Sequence, residues 1–155
     1  MRHAIMPGVI SLAAVLITAP VLAQDRPDPA IDARQSVMHL YAFNLGQLGA
    51  MAKQEIAYDA DMATKAANNI VLLTQIDQSA FWPQGTDNAV DTNSRALPDV
   101  WANFDDLAAK GKALGDAALA MQTAAGTDLA ALQGAMGPLG GACSACHKAY
   151  RAPDD

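Results

Sequence analysis

The strongest constraint on the fold is an apolar stripe near the end of the sequence, whose members recur at alternating spacings of three and four residues. This spacing places them on one face of a single α-helix, the seam by which a helix packs in a bundle. Pro138 lies within the stripe and predicts a bend, because proline removes a backbone donor and crowds the preceding turn. Two members are cysteines, so any group that they hold lies against the bundle core. The stripe comprises Leu129, Leu132, Met136, Leu139, Cys143, Cys146 and Tyr150.

Three helical segments precede this stripe. The first is predicted from about Pro29 to Glu55, with Asp28 as its N-cap and proline at the first helical position. The second is predicted over about 59–79, and the third begins around Pro98. Residues 126–128, Gly-Thr-Asp, end the third helix and cap the fourth. The sequence contains no recognisable strand pairs, so it predicts an all-α fold, a four-helix bundle.

Each of these three helices carries its own apolar face at spacings of three and four residues. The predicted core faces are Ile31, Met38, Tyr41, Leu45, Leu48 and Ala52 in the first helix, Met62, Ala66, Ile70, Leu73 and Ile76 in the second, and Trp101, Phe104, Leu107, Gly111, Leu114 and Met121 in the third.

The connection over 80–97 has no regular period and is rich in Pro, Gly, Asp and Asn. A loop of this length in a compact domain is usually functional or packed over another part of the molecule. We therefore expect it to take part in a site or to cover part of the bundle.

The first 23 residues are predicted to be an export signal rather than part of the fold. Arg2 and His3 precede an apolar stretch over 10–19, and Val21-Leu22-Ala23 offers a small-residue cleavage site. The apolar stretch is short for a membrane-spanning helix and Pro20 interrupts it, although an uncleaved anchor is the alternative. The expected mature domain comprises residues 24–155 and is located in the periplasm.

The whole sequence has a formal charge of −6, and residues 24–155 carry −7 because the predicted signal removes one arginine and no acid. An acidic surface argues against nucleic acid as a partner and for basic protein partners. Residues 24–155 contain no further membrane-spanning pattern. We therefore expect no membrane insertion after the signal is cleaved.

Residues 143–147, Cys-Ser-Ala-Cys-His, match the C-x-x-C-H pattern of c-type haem attachment. Two thiols three residues apart on one helical face can bond to one porphyrin, and His147 is then held under the iron. A disulfide between Cys143 and Cys146 is the alternative in an oxidising compartment, although redox pairs of this spacing lie at a helix start beside a βαβ pattern. A zinc site needs further ligands, and His39 is the only other histidine in 24–155. The pattern predicts one covalent haem c in the core, held by both cysteines with His147 as an axial iron ligand.

Further residues match a known family. They are 34–38 and 48–53 in the first helix, Tyr58-Asp59, Trp82-Pro83 with Gly85-Thr86, Trp101-Ala102-Asn103, and the ending Cys143-x-x-Cys146-His147-x-x-Tyr150-Arg151. With them the sequence resembles the class II cytochromes c, the cytochrome c′ family, over essentially all of 24–155. This resemblance implies an antiparallel four-helix bundle, usually a homodimer, with haem in the core near the last helix.

Arg34 lies on the apolar face of the first helix, where a cation requires a partner. The resemblance assigns the family's first-helix arginine to a haem propionate and Gln35 to the haem edge. An Arg34 side chain that extends to solvent is the alternative. Arg151 matches a family arginine near the proximal histidine, with an ordinary surface role as its alternative. Arg95 in the long loop is a further candidate for a propionate contact.

Met38 aligns with the family's distal position, which divides the family by function. In a low-spin subgroup a methionine there ligates iron, which favours electron transfer. A side chain that does not coordinate leaves the iron open to nitric oxide or carbon monoxide, and methionine is also a common core filler. The sequence leaves ligation by Met38 open. We predict an electron carrier served by redox partner proteins, with a five-coordinate, gas-binding cytochrome c′ as the alternative.

The sequence predicts no enzyme, because no general acid–base pair or nucleophile–base arrangement stands out. A haem enzyme such as a peroxidase is the alternative, disfavoured because there is no distal His or Arg arrangement suited to splitting an O–O bond and because the resemblance assigns Arg34 to the haem edge. The resemblance implies a homodimer through the first two helices. The small residues Gly46, Gly49 and Ala50 lie on the first helix, and packing inside the subunit is the alternative role for them.

Overall fold

The computed structural model describes residues 28–153, and this range is helical without extended strands. The predicted export signal lies outside it. A 3₁₀ turn, Ser79–Phe81, separates the first two helices from the rest. No helix of the described range is long and apolar enough to cross a membrane. The helices are α1 Pro29–Ala52, α2 Ala60–Thr74, α3 Asp99–Ala102, α4 Phe104–Ala125 and α5 Leu129–Tyr150.

The four long helices form the predicted antiparallel four-helix bundle. Helix α2 packs between α1 and α4, and α5 packs between α4 and α1, which closes the ring. The short helix α3 is a single turn that leads into α4 and contacts α5 as well. The predicted fold class is therefore confirmed.

Side-chain caps start three of the long helices where the sequence predicts them. The Asp28 side chain accepts from the Ala30 N–H at 2.8 Å, with proline in the first turn of α1. Asp59 and Asp128 cap α2 and α5 in the same way, each accepting from a backbone N–H three residues later. An Asp cap satisfies a donor that the first helical turn leaves unpaired, so these starts are encoded locally.

The tightly packed core occupies one half of the bundle. It is formed by the second half of α1, most of α2, the second half of α4 and the first half of α5. The opposite half contains the start of α1, the start of α4 and the cysteine-bearing end of α5. The residues of the core are Leu48, Met51, Ala63, Ala66, Ala67, Ile70, Val71, Ala118, Met121, Ala125, Leu132 and Leu139.

Two predicted segments differ from the structure. The third predicted helix is divided into α3 and α4 at Asn103, whose φ of −133° and ψ of 44° interrupt the helix. Phe104, predicted to be buried, is 46% exposed after this break. Helix α2 ends at Thr74 rather than near Ser79.

The buried face of α2 also differs from the predicted one. Ala66, Ile70 and Leu73 are buried as predicted, whereas Met62 and Ile76 are each 41% exposed. Because α2 packs against α1 and α4 at once, its buried face is wider than the predicted one and also includes Ala63, Ala67 and Val71.

The connection between α2 and α3 returns to the end of α5. Ala96 and Arg151 form an isolated antiparallel bridge, and the Leu97 N–H donates to the Tyr150 carbonyl oxygen at 2.9 Å. The loop over 80–97 therefore covers the cysteine-bearing end of the bundle, in line with the expectation from its length.

Candidate haem site

The predicted attachment motif occupies the last two turns of α5. Cys143 and Cys146 are half-buried free thiols, and His147 is exposed. Because 3.6 residues complete a helical turn, the two cysteines lie about 60° apart around the helix axis, and His147 lies about 40° from Cys143. One side of α5 thus presents two thiols and an imidazole, the donor set that covalent haem requires.

Partial removal from water favours the neutral form of all three groups, including the imidazole of His147, although that residue as a whole is exposed. It raises the pKa of both thiols, while the charge of Lys110 opposes this at Cys146. It also lowers the pKa of His147, and the positive charges of Arg151 and Arg95 lower it further. A neutral imidazole is the form that ligates iron. The structure therefore places Arg151 and Arg95 close enough to act on the histidine.

Helix α1 brings two predicted residues to this end of α5. Tyr41 is half-buried, and burial together with the nearby Cys143 raises its pKa to about 12. Met38 lies one turn before Tyr41 on the same face of α1 and is 38% exposed. On that face Arg34, one turn earlier still, is buried. The Met38 thioether is therefore accessible between two covered neighbours, on the helix that adjoins the thiols.

Arg34 is 5% exposed and donates four hydrogen bonds to the loop over 80–97. Its Nη1 donates to the Phe81 carbonyl oxygen at 3.0 Å and to Thr86 Oγ1 at 2.9 Å. Its Nη2 donates to Ser94 Oγ at 2.8 Å and to the Thr86 carbonyl oxygen. Burial lowers the pKa of Arg34, whereas the carboxylates of nearby aspartates raise it. Neutral loop oxygens thus satisfy the buried cation.

Two tryptophans complete the surroundings of this guanidinium. The Arg34 Cζ lies 5.1 Å from the ring centroid of Trp82 and 5.9 Å from that of Trp101. The rings meet edge to face with centroids 6.2 Å apart, and Trp101 Nε1 donates to the Trp82 carbonyl oxygen at 3.0 Å. We call Arg34, Phe81, Trp82, Thr86, Ser94 and Trp101 the Arg34 network.

Gln35 also binds the loop. Its Nε2 donates to the Asn93 carbonyl oxygen at 2.7 Å. The alternative of an Arg34 side chain extending to solvent does not hold, since the residue is buried. Contacts of Arg34 with a propionate and of Gln35 with the haem edge stay predictions.

The alternative uses of the cysteines gain no support from their surroundings. Cys143 and Cys146 are not joined to each other. Within residues 28–153, no group of three or more His, Cys, Asp or Glu side chains is arranged to hold a metal ion. His39 is exposed on α1, as expected for a surface residue.

Comparison with known proteins agrees with this geometry. The family model described as Cytochrome C' matches residues 29–151. The chain belongs to the cytochrome c′ family.

Relatives of this cytochrome share most of its length. It is 44% identical to cytochrome c-554 of Cereibacter sphaeroides over 147 residues, which cover 94% of this chain and 96% of that protein. It is 35% identical to the cytochrome c' of the same species over 135 residues, covering 87% of this chain and 90% of the relative. The solved structure named cytochrome c' from Rhodobacter Spheriodes has a TM-score of 0.78 at 35% identity, covering 81% of this chain and 96% of that chain.

Members of this family bind covalent haem c and carry electrons, and the residues of this cytochrome fit that cofactor. The fit rests on the two thiols and the imidazole on one side of α5 and on the accessible side chain of Met38 on α1, the helix that packs against α5.

Several contacts around the site were not predicted from the sequence. Thr86 and Ser94, 4% and 3% exposed, bind Arg34 but lie in a loop without periodicity. The Tyr150 hydroxyl donates to Asp106 Oδ2, which joins the end of α5 to the start of α4. Trp82 and Trp101 both match the family in the sequence. Because aromatic rings attract cations, these two residues are the sequence signal for the surroundings of Arg34.

Proposed function

We propose that this cytochrome is a periplasmic one-electron carrier whose iron is ligated by His147 and Met38. Bound haem supplies an iron that alternates between the ferric and ferrous states. The observation that carries the proposal is the placement of Met38, 38% exposed, between buried Arg34 and half-buried Tyr41 on the helix that faces Cys143.

The chain's own residues have distinct roles in this proposal. Cys143 and Cys146 fix the cofactor covalently, and His147 offers a neutral imidazole from the next position of α5. Met38 offers a thioether, a soft ligand that suits haem iron and raises its reduction potential. Because Met38 and His147 lie within long helices, their backbone positions would be held firmly when haem is bound, which favours electron transfer.

Substitution of Met38 tests the sixth ligand. We expect wild-type holoprotein to show a low-spin optical spectrum with a sulfur-to-iron charge-transfer band and no prompt response to carbon monoxide. Met38→Ala should lose that band, become high-spin and bind the gas. Met62→Ala is the matched control, because Met62 is 41% exposed on α2. An unchanged spectrum in Met38→Ala would rule out ligation by this residue.

A gas-binding cytochrome is the second candidate, favoured by a solved relative. The structure of a cytochrome c prime variant from Alcaligenes xylosoxidans is titled a nitric oxide complex. If the wild-type spectrum is high-spin and shifts promptly with carbon monoxide, the iron has an open position and this second function replaces the first.

A homodimer through α1 and α2 is also proposed. One solved cytochrome c' is titled as having ligand-controlled dimer dissociation. In this chain Leu40 and Phe43 of α1 are 50% and 66% exposed, and a Cβ added at Gly46 meets no atom within 4 Å. Gly49, in contrast, approaches Met136 of the same subunit, where an added Cβ would lie 3.7 Å from its Cε. The exposed apolar face of α1 is the surface that a second copy would cover.

A further inference from the structure

Most of the hydrogen bonds that join α1 to the loop over 80–97 come from one side chain, that of Arg34. All four N–H groups on the terminal nitrogens of Arg34 point to loop oxygens, two of them on Thr86. The Thr86 hydroxyl in turn donates to the Pro83 carbonyl oxygen at 2.8 Å. Gln35 adds one further bond to the loop at Asn93. The Arg34 network is thus the main link between the start of α1 and this loop.

The far end of the same loop is attached to the end of α5. The Leu97 N–H donates to the Tyr150 carbonyl oxygen at 2.9 Å, and the Ala152 N–H donates to the Arg95 carbonyl oxygen at 2.8 Å. Arg95 Nη2 also donates to the Ala152 carbonyl oxygen at 2.6 Å. Tyr150, the residue of α5 that accepts the first of these bonds, lies three residues after His147.

We propose that Arg34 is a positioning residue that sets the separation between the Met38 segment of α1 and the His147 segment of α5. This inference rests on the proposed function, because it concerns the two residues proposed as iron ligands. Met38 lies four residues after Arg34, and His147 lies three residues before Tyr150, so each proposed ligand is within about one turn of an attachment point of the loop.

The distribution of packing explains why this link matters. The fully buried large side chains of α1 that belong to the apolar core, Leu48 and Met51, lie in the second half of that helix, whereas Ile31 in its first turn is buried outside that core. Near Cys143 the contact from α1 is the half-buried Tyr41. The loop therefore adds a second connection between α1 and α5 at the end where the apolar core is sparse.

The guanidinium is specifically suited to this role. Its planar fork reaches four acceptors and stacks near two aromatic rings, whereas a lysine ammonium is a single point with three donors. Arg34→Lys keeps the charge but loses this geometry. Thr86→Val keeps the arginine and the side-chain shape but removes a hydroxyl acceptor.

The experiment compares holoprotein of wild type, Arg34→Lys and Thr86→Val with the control Lys53→Gln. Lys53 is an exposed cation that immediately follows α1, paired with Glu55 at 3.7 Å. Two quantities are measured: hydrogen exchange at the amides of Leu97 and Ala152, and the rate of carbon monoxide binding to the ferrous protein. We expect both to rise about tenfold or more in Arg34→Lys and to move in the same direction in Thr86→Val.

The outcomes separate this inference from the proposed function. Lys53→Gln should stay within about twofold of wild type in both measurements. Unchanged exchange in Arg34→Lys and Thr86→Val overturns the inference, and so does faster exchange without any change in gas binding. Prompt gas binding by wild type would overturn the proposed ligation by Met38 but not the proposed role of Arg34. In that case two comparisons between Arg34→Lys and Lys53→Gln decide the inference. They are the rate of hydrogen exchange at the amides of Leu97 and Ala152 and the rate of carbon monoxide binding.

Discussion

Met38 and Met62 are exposed to a similar degree, 38% and 41%, on adjacent helices, but their surroundings differ. Met38 lies between buried Arg34 and half-buried Tyr41. Met62 lines an open surface cleft together with polar residues of α1 such as Asn44 and charged residues of α2 such as Lys65. The two methionines therefore match in exposure and differ in their neighbours, which makes Met62 the suitable control for the proposed ligation by Met38.

The attachment residues give a prediction at the same scale. We expect Cys143→Ala and Cys146→Ala each to retain haem through one thioether and to shift the optical spectrum of the denatured, reduced protein. The double variant should lose haem to acid–acetone extraction, because no covalent bond remains. Ser144→Ala, between the two cysteines, is the control and should retain haem as wild type does. Retention of haem by the double variant would contradict attachment at these thiols.

At the scale of the helices, features that depend on adjacent residues were predicted from the sequence, whereas features that depend on contacts between distant segments were not. The caps at Asp28 and Asp128 and the start of α2 near Asp59 were predicted correctly, because a helix start depends on a few adjacent residues. The break at Asn103 was missed, since the apolar period continues through it. The partners of Arg34 were also missed, because they lie about fifty residues away in a loop that has no period.

The contact between α4 and α5 gives a prediction for pH. The hydrogen bond from Tyr150 is the main cause that lowers the pKa of Asp106, and Lys110, 3.3 Å away, contributes less. A lowered pKa stabilises the fold above the ordinary aspartate pKa of about 3.9, and this contribution is lost as the pH falls through the lower native value. Wild type should therefore melt at a higher temperature than Asp106→Asn at pH 7.

The difference between wild type and Asp106→Asn should disappear as the pH falls below the native pKa of Asp106, as measured by thermal denaturation. Asp105→Asn is the matched control, because both carboxylates lie in the first turn of α4 and act equally on its helix dipole. If Asp105→Asn showed the same pH profile as Asp106→Asn, the bond to Tyr150 would not be the cause.

At the scale of the whole molecule, the subunit is divided along its length. One half holds the apolar core around Leu48, Met121 and Leu132, and the other holds the attachment motif and the Arg34 network. Exposed apolar side chains remain on the outer faces of α1 and α2, among them Phe43 at 66%. The first half contains most of the buried apolar side chains, the second half contains the proposed haem site, and the outer face is the surface proposed to meet a second copy.

Substitution at that outer face tests the proposed dimer. We expect Phe43→Asp to yield a monomer in sedimentation equilibrium, because a carboxylate replaces the most exposed aromatic side chain of α1. Leu119→Asp on α4 is the control, since Leu119 is 50% exposed on a helix outside the proposed interface. A wild-type protein that is monomeric at all concentrations, or a dimer that persists in Phe43→Asp, would contradict this interface.

The separation of the core from the attachment motif also bears on the order of assembly. A chain whose Leu and Met side chains pack together in one half can acquire its shape there while the thiols of Cys143 and Cys146 are still reachable. We therefore expect maturation to proceed on a scaffold that is already largely in place. Covalent capture of the cofactor on the last turns of α5 is then the step that completes the molecule rather than the one that begins it.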